Sequence, residues 1–180
     1  MSSLPFSIII VYRRSHLHRR SLFKKIIVKS VYDAFDYVME HYYPAGLEEF
    51  AERTDTYAVI SIQDSHTRGF GVRFCESAFC KDALTLIFDD IDREVEGAVL
   101  FTDGQADSII DFINKNRKAD SLLVHCYGGQ SRSRAVGAFA MRYLGKDDSV
   151  FFENGDPNPY VYSKLIERAG IYQACIPEME

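Results

Sequence analysis

The sequence predicts an α/β fold with a mostly parallel central sheet flanked by helices. Three observations lead there. Short apolar runs at 26–28, 57–62, 84–88 and 122–124 read as buried strands, the second especially for its β-branched content. Stretches with apolar residues at helical spacing lie between them, and strands separated by helices argue parallel pairing with both sheet faces covered. The last run passes through a glycine-bearing turn directly into a helix, and open sheets of this kind hold ligands at the carboxyl ends of their strands.

Residues 1–24 are read as a basic N-terminal extension and residues 25–180 as a single domain. The first 32 residues carry seven Lys/Arg and no acid. Residues 6–12 have strand-like content, while 13–20 form a basic cluster in which His16 and His18 are read as solvated. An edge strand with a basic arm, a poorly ordered tail and a targeting segment all fit this composition. Apolar before basic is the wrong order for a secretory signal, and a peripheral extension is the reading adopted.

From Lys25 the pattern is regular. After the strand at 26–28, Ser30, Val31, Tyr32 and Asp33 resemble a capping box, and Ala34, Tyr37, Val38 and His41 or Tyr42 follow at helical spacing. Pro44, Ala45 and Gly46 break that helix, and 47–52 reads as a short helical piece. The strand at 57–62 leads into a polar loop at 63–71. The strand at 84–88 ends in Asp89, Asp90, Ile91 and Asp92. Residues 102–116 read as a helix with Ala106, Ile109, Ile110 and Ile113 on one face. The strand at 122–124 then enters the turn, and the helix beyond it runs to Gly145. Asn158 falls in a turn rich in Asn, Gly and Pro, where it would cap the last helix.

One hundred and eighty residues with 47% apolar content can bury one core. The net charge of −5 is unevenly placed: beyond residue 32, 14 basic residues face 26 acidic ones. An acidic body argues against nucleic acid as a partner. Four cysteines without regular spacing do not make a disulfide framework. No apolar run approaches the ~20 residues of a membrane span. A cytoplasmic location is expected, with no cofactor and no metal.

Chemistry concentrates in the turn after residue 124. A loop between a strand and a helix N-terminus aims several backbone N–H groups at one point, and the helix dipole adds positive charge there. Gly128 and Gly129 let the backbone wrap closely round an anion. Arg132 stands where the helix begins and can grip two phosphate oxygens with its planar fork. The same field would stabilise a thiolate at Cys126, an in-line nucleophile for phosphorus. Ser133 could donate to the sulfur and ease its departure when the thiophosphate is hydrolysed. A Cys-x5-Arg pair alone is weak evidence; this whole string between an apolar strand and a helix is far more specific.

His125, Cys126, Tyr127, Gly128, Gly129, Gln130, Ser131, Arg132 and Ser133 resemble the phosphate-binding loop of cysteine-dependent protein phosphatases, in the form found in the compact dual-specificity branch and its bacterial relatives. The likeness spans roughly residues 25–170, strong in the loop and diffuse elsewhere. It implies a dual-specificity-phosphatase-like fold, a nucleophilic Cys126, a phosphate-binding Arg132, support from Ser133 and His125, and phosphate held by positions 127–132. It also implies an aspartic general acid on an upstream loop, because a leaving oxygen needs a proton. Asp89, Asp90 and Asp92 lie 37, 36 and 34 residues before Cys126. Asp90 aligns best, Asp89 is second and Asp92 third. Asn158 resembles an asparagine that braces the loop in the bacterial relatives.

Phosphoinositide phosphatases that this loop resembles often carry lysines where Tyr127, Gly128 and Gln130 carry no charge, so the resemblance leans away from inositol phosphates and toward a phosphotyrosyl or mixed phosphoprotein; another phosphomonoester remains open, as does the oligomeric state. Cys75 and Cys80 are read as packing residues, with a resolving thiol for Cys126 as the other possibility. Lys115, Asn116 and Arg117 are read as a charged helix end. Two other classes stay in view: a phosphate-binding pseudophosphatase acting as an interaction module, and a rhodanese-like sulfurtransferase.

Overall fold

A computed structural model describes residues 23–44, 46, 53–67, 69–71, 73–153 and 155–171. The chain runs β1 (Lys25–Ser30), α1 (Val31–Tyr42), β2 (Tyr57–Gln63), β3 (Cys80–Ile87), α2 (Asp103–Lys115), β4 (Ser121–Cys126), α3 (Arg132–Tyr143), α4 (Val150–Glu153) and α5 (Pro159–Arg168). The four strands form one sheet in the order β1-β4-β2-β3. Every pairing is parallel: Ser30 stands opposite Cys126, Ser61 opposite His125, and Gln63 opposite Ile87. This is the parallel, helix-flanked α/β sheet expected from the pattern.

The period of two along each strand divides the core. Ala58, Ile60, Ile62, Leu122 and Val124 face α2, α3 and α5, packing against Ile109, Ile113, Val136, Phe139 and Leu165. Tyr57, Val59 and Leu123 face the other way, against Ala34, Val38 and Tyr42 of α1 and against Phe79. β4, buried along its whole length, is the central spine. Burial on both faces removes any alternation, so these strands read as continuous apolar runs.

Helix ends follow the sequence closely. Ser30 caps α1 by accepting from the Asp33 N–H at 3.1 Å, and its hydroxyl donates to Asp33 Oδ2 at 2.7 Å. Thr102 caps α2 in a full capping box with Gln105. The α1 helix stops at Tyr42, before Pro44. α3 stops as expected, with Gly145 in the left-handed region at φ 72° and Lys146 N–H returning to Met141 O.

Some boundaries and one element differ: β4 runs past the expected Val124 through His125 and Cys126, so the cysteine ends the strand rather than lying in the turn. β3 starts at Cys80, four residues before the expected Leu84, because the tertiary sheet extends pairing through Asp82 and Ala83, with Lys81 skipped at a register shift and too little apolar content in the stretch to mark it. The four-residue helix α4 is too short for any periodicity to mark it. Residues 1–22, with the candidate strand and basic cluster, and the expected helical piece at 47–52 lie outside the described residues. Among the described residues no helix is long and apolar enough to cross a membrane.

Candidate active site

Parallel strands bring their carboxyl ends to one edge, and four segments meet there: Ser30 at the end of β1, Asp64 after β2, Phe88 to Asp90 after β3, and the stretch from Cys126, which ends β4, to Arg132, which opens α3. The loop lies close against the end of β1. Val31 N–H donates to Tyr127 O, and Gly129 sits at φ 70°. A Cβ there would stand 2.5 Å from Ser30 N, so only glycine permits this approach.

Cys126, the last residue of β4, is 2% exposed. Its Sγ accepts from the Gly129 N–H at 3.3 Å and lies 3.1 Å from Ser133 Oγ. α1, α2 and α5 are capped by the side chains of Ser30, Thr102 and Asn158, whereas Ser131 gives α3 no side-chain cap. The first N–H groups of α3 therefore carry no cap from Ser131 that an anion would have to displace. Ser131 Oγ instead donates to Asp90 Oδ1 at 2.8 Å.

Arg132 is 4% exposed. Its Nη1 donates to Phe88 O at 2.7 Å and meets Asp64 Oδ1 at 2.6 Å. Its Nε is buried with no hydrogen-bond partner among the described residues; Asp90 Oδ2 is 4.0 Å away. One side of the guanidinium is tied back into the fold while the Nε side keeps its donor, an arrangement suited to gripping an oxyanion side-on.

The three carboxylates behave differently. Asp89 is 6% exposed and accepts from Ser65 N–H, Ser65 Oγ and Val99 N–H. Burial pushes its carboxyl up, and those hydrogen bonds outweigh burial and hold it below the usual carboxylate range. Asp89 is thus a permanent acceptor joining three segments. Asp90 is exposed at the rim, where Oδ1 accepts from Ser131 Oγ and from Asn158 Nδ2, both at 2.8 Å. Asp92 is exposed in the shallow cleft beside them. Asn158 serves twice: its Oδ1 caps α5 through the Val161 N–H while its amide holds Asp90.

His125 is buried, and neither ring nitrogen has a partner among the described residues. It packs against Phe74 and Phe70, and burial pushes its pKa down to about 4. The ring is neutral at physiological pH and cannot offer Cys126 an imidazolium. The folded pKa lies below the ordinary 6.5, so stability is fully present above pH 6.5 and drains as pH falls toward 4. The full shift is worth roughly 3 kcal/mol. Urea melts at pH 7 and pH 5 should show this loss, and His125→Phe should flatten it; an unchanged slope in the variant would assign the loss to another group.

Tyr127 is 54% exposed and stands between Tyr32 and Phe70, with ring centroids 6.5 and 5.9 Å away. Gly128 and Gln130 are exposed. Cys80 is a buried core residue whose thiol burial pushes up to about 11, and Cys75 is exposed. Lys115 ends α2 in an ion pair with Asp82, the charged helix end expected.

Four residues at this edge escaped sequence reasoning: Asp64, Tyr32, Phe70 and Phe74. Asp64 carried a usable signal, since it is the first residue past the carboxyl end of the strongest strand.

No family model matches the chain, and no curated protein matches it in sequence. Among solved structures, PTPMT1 in complex with PI(5)P is similar at 14% identity and a TM-score of 0.47, over 84% of this chain and 94% of that one. Human DUSP28 is similar at 18% identity and a TM-score of 0.45, over 81% and 91%. Human tyrosine phosphatase-like serine/threonine/tyrosine-interacting protein is similar at 21% identity and a TM-score of 0.46, over 66% and 79%.

Proposed function

We propose that this chain is a phosphate-monoester hydrolase working through a cysteinyl-phosphate, with phosphotyrosyl protein, alone or alongside phosphoserine and phosphothreonine, as substrate. Residues 25–180 would form one catalytic domain behind a basic extension at 1–24. The observation that carries the reading is one meeting point. The Cys126 sulfur, bonded by Gly129 N–H and Ser133 Oγ, lies at the uncapped start of α3, whose first residue, Arg132, keeps a buried Nε without a partner among the described residues.

The chemistry balances without a further reactant. The Cys126 thiolate attacks phosphorus, an S–P bond forms, the P–O bond to the leaving group breaks, and that oxygen takes a proton from Asp90. Water then attacks phosphorus and gives its proton to the Asp90 carboxylate. The S–P bond breaks, with Ser133 donating toward the departing sulfur, and inorganic phosphate leaves. Arg132 and the N–H groups of residues 127–132 would hold the phosphoryl oxygens throughout. His125 would support the loop as a neutral ring packed against Phe70 and Phe74, and Asp89 and Asn158 would brace the surrounding segments. Thiolate chemistry of this kind calls for a reducing compartment, in keeping with the cytoplasm.

Asp90 is favoured over Asp89 as the proton donor, because Asp89 is locked as an ionised acceptor while Asp90 stands exposed at the loop's rim. The aromatic collar of Tyr32, Phe70 and Tyr127 favours an aryl leaving group, whose ring can pack there edge-on or offset.

Asp90→Asn should slow phenyl phosphate by about 10²-fold or more and spare para-nitrophenyl phosphate, whose leaving group needs little protonation. If Asp89→Asn shows that pattern instead, the assignment is wrong by one residue. Turnover of phosphotyrosyl and phosphoseryl peptides in chelator and reductant tests the substrate. Thiosulfate-dependent thiocyanate formation without phosphate release would replace the reading with sulfurtransfer. A well-folded, inactive protein that still binds phosphate would make it an interaction module.

A further inference from the structure

We infer that Asp64 is a positioning residue for catalysis: it sets the direction in which the Arg132 fork faces the phosphate. This rests on the phosphatase reading and adds to it a group from a separate strand end.

A guanidinium that is 4% exposed needs compensation for its lost hydration. Two acceptors supply it, both at Nη1: Phe88 O at 2.7 Å and Asp64 Oδ1 at 2.6 Å. They come from the ends of β3 and β2, so Arg132 is held by the carboxyl edge of the sheet rather than by its own loop. The Asp64 side chain is itself 14% exposed and keeps little freedom. Its own turn is anchored as well: the next residue, Ser65, donates through both N–H and Oγ to the buried Asp89, whose other donor is Val99 N–H. A chain of fixed contacts therefore runs from Val99 through Asp89, Ser65 and Asp64 to Nη1. With Nη1 held, rotation about the last side-chain bonds is restricted, which leaves the Nε–Nη2 edge of the fork as the pair of donors for an oxyanion.

Two effects of Asp64 oppose each other. A carboxylate at 2.6 Å offsets part of the positive charge that a phosphate would feel, which alone would weaken anion binding. Orientation acts the other way, because a fork misplaced by about 1 Å forfeits about 10²-fold in rate. The fork's attraction for phosphate is bidentate and directional, so orientation wins.

The experiment compares wild type, D64N, R132K and D64N/R132K, using para-nitrophenyl phosphate, phenyl phosphate, and inorganic phosphate as competitive inhibitor and as ligand in a thermal-shift titration. D64N is expected to lower kcat/KM about 10- to 100-fold on both esters alike, and to weaken phosphate inhibition. A lost proton donor would spare the activated ester, so equal losses mark positioning. In the R132K background D64N should add nothing. Unchanged or tighter phosphate binding in D64N would overturn the inference and leave Asp64 as a charge-balancing partner. A full, additive loss on top of R132K would overturn it as well. Should D64N not melt cooperatively, D64S is read by the same criteria, and failure of both to fold would make Asp64 a residue of the fold and sink the proposal. A wild type without turnover would sink the phosphatase reading by itself; the phosphate titration would then still decide whether Asp64 orients the fork.

Discussion

Cys126→Ser is expected to abolish hydrolysis of para-nitrophenyl phosphate, by about 10⁴-fold or more, while leaving the fold intact. The substitution exchanges sulfur for oxygen at a site that is 2% exposed, with almost no change in volume. A serine hydroxyl keeps its proton at neutral pH, and His125, the preceding residue, is a poor base: burial pushes its pKa down to about 4, and its ring packs against Phe70 and Phe74. The donors that face the sulfur, Gly129 N–H and Ser133 Oγ, remain available to an oxygen. Phosphate binding should therefore survive while turnover is lost. The measurement is initial rate in chelator and reductant, with circular dichroism for the fold and a phosphate-dependent melting shift for the site. Activity above about one per cent of wild type in well-folded C126S would sink the cysteinyl-phosphate mechanism.

Arg132→Lys carries the second largest expected effect, a fall in kcat/KM of about 10²- to 10³-fold. Lysine keeps the charge, so a loss of this size separates geometry from Coulomb attraction. Arg132 bonds backward through Nη1 to Phe88 O and Asp64 and presents Nε forward, a division of labour that one ammonium cannot reproduce. An ammonium drawn back to Asp64 would leave the phosphate without its cation; one drawn forward would leave the largely buried Asp64 carboxylate unpaired. Either way phosphate inhibition should weaken along with the rate. R132K with wild-type kcat/KM would show that charge alone suffices, and the bidentate role would fall.

Much of the architecture was legible because its signals are local. Ser30 and Thr102 announce their helices by hydrogen bonds to residues three positions on, and Gly145 ends α3 by a backbone conformation that glycine adopts without strain. β2 and β4 were visible from apolar runs alone. The first half of β3 was not, since Cys80 and Asp82 join the sheet only because β2 offers them a partner. The loop string from His125 to Ser133 was legible for the same reason as the caps: its chemistry lies within nine consecutive positions.

The separation of roles between Asp89 and Asp90 lay outside what one-dimensional reading can reach. Adjacent residues after one strand end point to different surroundings, one into the Ser65 and Val99 donors, the other toward Ser131 and Asn158. Asn158 itself read equally as a helix cap or a brace for the loop; its carbonyl end caps α5, while its amide end reaches Asp90 rather than the loop.

By itself, then, the sequence determined the α/β class, the strand–turn–helix unit, and the placing of a cysteine, two glycines and an arginine in one phosphate-sized loop. Those properties rest on hydrophobic period, caps and turn chemistry, all of which act over a few residues. Only the tertiary structure decided which carboxylates reach that loop, that Asp64 stands against Arg132, and that Tyr32 and Phe70 frame Tyr127. These contacts join residues up to about a hundred positions apart in sequence, through parallel pairing in the order β1-β4-β2-β3. Such pairing gathers the strand ends at one edge, whatever their distance along the chain, and no local signal records which ends will meet.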